Sequence, residues 1–100
     1  MPNVTVAVTH DLDSQEALRR LKDQFLEAQS RFAQHLSDFD EDWSGNVGRF
    51  GFKTMGIHVQ GTVTAEDSQV VVVTELPLIA MPFKSAIDRQ IRDELERILA

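Results

Sequence analysis

Asp38, Asp40 and Asp42 stand at every second position, the spacing with which an EF-hand opens its calcium loop. Such a loop needs glycine at its sixth position for the sharp turn and a bidentate glutamate at its twelfth. Those positions hold Trp43 and Arg49, so the acids read as a solvated loop following a helix. The histidines His10, His35 and His58 share no helix i,i+4 or strand i,i+2 spacing, and no metal site is expected from them. Gly45, Gly48, Gly51, Gly56 and Gly61 lie close together. Phosphate-cradling loops place glycines ahead of a helix, whereas these fall in and between strand-like runs and predict a curved sheet. No serine occupies a nucleophile elbow, and no histidine–carboxylate pair is fixed by spacing to act as acid and base. The expectation is a protein that is not an enzyme, with no catalytic, cofactor-binding or metal residues.

The elements around these residues follow from periodicity. Val4, Val6 and Val8 alternate with Thr5, Ala7 and Thr9, the period of a half-buried strand. Asp13 with Glu16 three residues on forms a capping-box signal. Ala17, Leu18, Leu21, Phe25, Ala28, Phe32, Leu36 and Phe39 then step by three and four, predicting a helix from about residue 14 to 37. Val47 to Thr54, Ile57 to Thr64 and the run from Val70 to Thr74 read as a meander turning at Met55-Gly56 and Ala65–Ser68. A last helix from about Lys84 to Leu99 carries Phe83, Ile87, Ile91, Leu95 and Ile98 on one stripe. Two one-sided helices and a one-sided sheet predict an α+β two-layer sandwich. Its order is β-α-β-β-β-α, with room for an extra short strand near Trp43 and both helices on one face of a curved, mostly antiparallel sheet.

At 100 residues one domain over 1–100 is expected, large enough for a core without staples. Cysteine is absent, which removes disulfide and thiolate chemistry and fits a reducing cytosol. The start of the chain shows no signal-peptide pattern. The longest nearly apolar run, Leu76 to Phe83, is far short of the roughly 20 residues of a membrane span. Ten basic against sixteen acidic residues give net −6, which argues against nucleic-acid partners and anionic membrane surfaces. Double-stranded-RNA-binding modules share a similar layout but use basic surfaces that this composition lacks.

The proline-bounded run Leu76 to Phe83 is the main candidate for an interface. Leu76 and Leu78 are expected to seal the core while Ile79 and Met81 face out. Leu78, Ile79, Met81, Phe83 and Trp43 make up the expected interface set. For Trp43, packing is the leading reading.

The ordered landmarks carry a further signal: a strand ending near His10, a long helix, Trp43-Ser44-Gly45, Phe50 and Phe52, Gly56-Ile57-His58-Val59-Gln60-Gly61, Glu75-Leu76-Pro77, and Phe83 opening a striped helix. In this the chain resembles the polyhydroxyalkanoic acid system family of small bacterial proteins. The resemblance implies association with polyhydroxyalkanoate storage granules in the cytoplasm and carries over no catalytic residue. The expected function is that of a non-enzymatic accessory protein acting by protein–protein or granule-surface association. Its expected partner is a second copy of itself, as a homodimer, or the granule or its coat protein. The alternative is a carrier of a small apolar ligand held between the curved sheet and helix 1.

Overall fold

The computed structural model describes residues 3–31 and 33–100. The chain runs β1 (Asn3–Thr9), α1 (Ser14–Arg31), β2 (Ser37–Ser44), β3 (Val47–Thr54), β4 (Ile57–Ala65), β5 (Gln69–Glu75), a 3-10 helix over Leu78–Phe83, and α2 (Lys84–Leu99). All five strands form one antiparallel sheet in the order β1-β5-β4-β3-β2. α1 carries the chain from one sheet edge to the other, and the meander then walks back until β5 pairs with β1. The α+β class and the single helical layer agree with the sequence reading. The strand left open near Trp43 is a full eight-residue β2.

Three expectations along this stretch are corrected. The first helix ends at Arg31 rather than near 37, and His35 lies in a turn. The acids from Asp38 to Asp42 belong to a strand rather than a solvated loop, because they pair with β3. Phe39 stacks on Phe52 from β2, with centroids 6.1 Å apart, instead of extending α1. Phe32, which the stripe also included, lies outside the described residues.

Asp13 caps α1 as expected, its Oδ1 accepting the Glu16 N–H at 2.7 Å. Glu16 does not close a capping box, because Arg19 and Arg20 hold its carboxylate at 2.7 and 2.9 Å. Those hydrogen bonds from Arg19 and Arg20 pull the Glu16 carboxyl down to about 2. α1 buries Ala17 and Leu21, and α2 buries Leu95 and Leu99, on the sheet face formed by Val4, Val6, Val8, Val63, Ala65, Val70 and Val72. Arg20 Nη1 donates to the Ile98 and Ala100 carbonyls at 3.0 and 2.9 Å, satisfying the free end of α2.

The pairing register aligns these side chains into cross-strand rows. One row reads Val6, Val72, Val63, Gly48, Trp43 and a second reads Val4, Thr74, Gly61, Phe50, Glu41. In each, a ring on one strand lies over a glycine on the next. A β-carbon at Gly48 would stand 2.6–2.7 Å from the Trp43 ring, and one at Gly61 would collide with the Val73 carbonyl oxygen. Thr74 is buried in the second row with its hydroxyl unpaired among the described residues.

Candidate functional site

The connector after β5 is built by two prolines. Pro77, at φ −67° and ψ 158°, turns the chain out of the sheet, and the Ala80 N–H returns to the Pro77 carbonyl at 2.9 Å to start the 3-10 turn. Leu76 and Ala80 are buried, whereas Leu78 is 77% exposed, Ile79 73% and Phe83 61%. The split predicted from sequence is therefore half right. Ile79 faces out, but Leu78 does too, and Met81 is half-buried. The cause is the 3-10 geometry: a turn of three residues swings Leu78 and Ile79 away and brings Ala80 in. Phe83, counted on the α2 stripe, takes φ −100° and ψ 6° just before the helix and leaves the core.

Ile79 and Pro77 border a groove of about 270 Å³ with Gly56, Ile57, His58, Gln60 and Glu75. Its far wall is the β3–β4 hairpin tip, where Met55 (φ 53°) and Gly56 (φ 77°) make the left-handed pair of a type I′ turn. Asparagine is the usual residue before such a glycine, and methionine is strained there. Met55 is nevertheless 95% exposed, so nothing in the fold holds it. Sequence reasoning took Met55-Gly56 only as a turn; the misplaced methionine was the available signal.

Trp43 lies at the opposite edge. Its ring packs edge-on against Phe25 at 5.8 Å, Lys22 Nζ sits 5.6 Å over it, and its N–H donates to Glu41. Glu41 in turn accepts from Gln29 Nε2 at 2.7 Å, which ties β2 to α1. Trp43 thus packs, half-buried, apart from the connector. With Phe25 5.5 Å from Phe50, rings occupy the space under α1 that a small apolar ligand would need.

The face of the sheet without helices carries a second groove, of about 430 Å³, lined by Asp40, Asp42, Arg49, His58, Gln60 and Glu75 among others. Gln60 Nε2 donates to Glu75 Oε2 at 2.7 Å across the β4–β5 pair. His58 has no hydrogen bond among the described residues, so no partner orients it as a base. His10 braces a turn instead, Nε2 donating to the Glu66 carbonyl and Nδ1 accepting from the Leu12 N–H. Among the described residues no cluster of three or more metal-ligating side chains occurs. No helix there is long and apolar enough to cross a membrane.

A family model described as "putative polyhydroxyalkanoic acid system protein" matches residues 4–99. No curated protein and no solved structure matches the chain.

Proposed function

The chain belongs to the polyhydroxyalkanoic acid system family, and from that premise we propose a non-enzymatic accessory role at the surface of cytoplasmic storage-polyester granules. It docks on the granule or its coat protein through the rim formed by Leu78, Ile79, Phe83 and the hairpin tip at Met55. The observation that carries this reading is the exposure of four large apolar side chains on two adjoining, well-formed turns. Exposed apolar groups that the fold does not require mark an interaction surface.

Cosedimentation with purified polyhydroxyalkanoate granules tests it. Leu78→Asp/Ile79→Asp is expected to move the protein to the supernatant while its thermal unfolding stays cooperative. Met55→Asn separates function from fold, because relief of the strained turn raises stability while removal of the thioether weakens granule binding. Equal partitioning of wild type and both variants would sink the proposal. A concentration-dependent dimer that Leu78→Asp/Ile79→Asp abolishes would assign the rim to a second copy.

A further inference from the structure

The two edges of the sheet are finished differently. On β1, the His10 N–H bonds back to Ser68 at 2.9 Å, so even-numbered residues face β5 and odd-numbered ones point their amides and carbonyls outward. α2 lies over that edge. Val4, Val6 and Val8 stay buried although β1 has one neighbouring strand, and Arg92 Nη1 donates to the outward Ala7 carbonyl at 3.3 Å.

β2 has no such cover. The two-residue turn at Gly45-Asn46 closes Ser44 onto Val47, so Ser44, Asp42 and Asp40 bond to β3 while Glu41 and Trp43 turn their backbone groups outward. No described residue outside the sheet bonds to those groups. A bare edge is a template for another strand, and its charge decides which strands fit. Asp40 and Asp42 are exposed and have no basic group within ion-pair distance among the described residues. A second copy would lay the same acids against one another, which opposes self-pairing.

We infer that the outer edge of β2 takes up an extended cationic segment of another protein as a sixth strand. Backbone bonds form to Glu41 and Trp43, and alternate Lys or Arg side chains lie against Asp40 and Asp42 on the helix-free face. The acids alone would attract any cation; the outward amides require an extended backbone.

Three decapeptides test this on the unmodified chain at low salt: one alternating lysine with threonine, one alternating glutamate with threonine, and the lysine peptide N-methylated at every second residue. Trp43, the chain's one tryptophan, reports by its emission, and the Glu41 and Trp43 amides by NMR. The lysine peptide is expected to bind and shift both amides, the methylated one at least about tenfold more weakly, and the glutamate peptide not at all. Asp40→Lys/Asp42→Lys should reverse the preference between the two charged peptides. Equal binding of the methylated and parent peptides would reduce the effect to unspecific attraction and overturn the inference. So would no binding at about 1 mM, or dimerisation of the chain alone through β2.

Discussion

Followed across the sheet, the row Val6, Val72, Val63 is aliphatic and fully buried, while its continuation into Gly48 and Trp43 ends on a half-exposed ring. The β1–β5 half has a β-branched side chain on nearly every core position and α2 packed over β1, whereas α1 packs over β4. In the β2–β3 half the buried residue facing the helices is Gly48, and aromatic side chains from β2, β3 and α1 form the cover. The first arrangement spreads the burial over many equivalent methyl groups, so trimming one leaves its neighbours in place. The second couples positions in pairs, because a ring can lie flat over a neighbour only if that neighbour has no side chain.

The sharpest way to break the contrast is Gly61→Val, which drives a side chain into the Val73 carbonyl and the Phe50 ring. Its expected cost is about 3 kcal/mol or more, seen as loss of a cooperative urea transition. Val6→Ala, in the aliphatic half, should cost about 2 kcal/mol and add to changes at Trp43. Gly48→Ala should cost about 1–3 kcal/mol in the wild type and far less in a Trp43→Ala background. A double-mutant cycle with no coupling would show that the indole moves aside freely and that the two halves are built alike.

Much of the fold was legible because the aliphatic half obeys simple periods. The alternation of Val4, Val6 and Val8, the stripe Ile87, Ile91, Leu95, and the Asp13 cap each stand where the pattern put them. β2 was harder, since its core-facing positions include Glu41 and its outward ones Asp40 and Asp42, which leaves no hydropathy alternation to read. Its strand character comes from β3, a partner the local sequence does not reveal. The apolar connector was identifiable as a candidate, but which of its side chains face out depends on a 3-10 turn that its hydropathy does not show.

Smaller effects sharpen the comparison further. Thr74→Val removes a buried hydroxyl with no partner among the described residues from the row that joins the two halves, and should raise stability by about 1 kcal/mol in urea denaturation. Least in size is the acid response of Glu16, whose carboxyl is lowered from 4.5 to about 2 by Arg19 and Arg20. A lowered folded-state value stabilises the fold above the unfolded value, so the contribution is whole above pH 4.5 and fades as the pH falls toward 2. The gap in urea midpoint between wild type and Glu16→Gln should therefore close over that window. High salt should narrow it at every pH, because the cluster is exposed.

The two prolines of the connector have one more consequence. Pro77 fixes the chain's exit from the sheet, and the Lys84 N–H closes on the Met81 carbonyl at the other end, so the connector's backbone is held at both ends. In the proposed docking, little backbone freedom would be surrendered on attachment, and a stretch of only six residues would hold by shape where a floppy one would need far more contact.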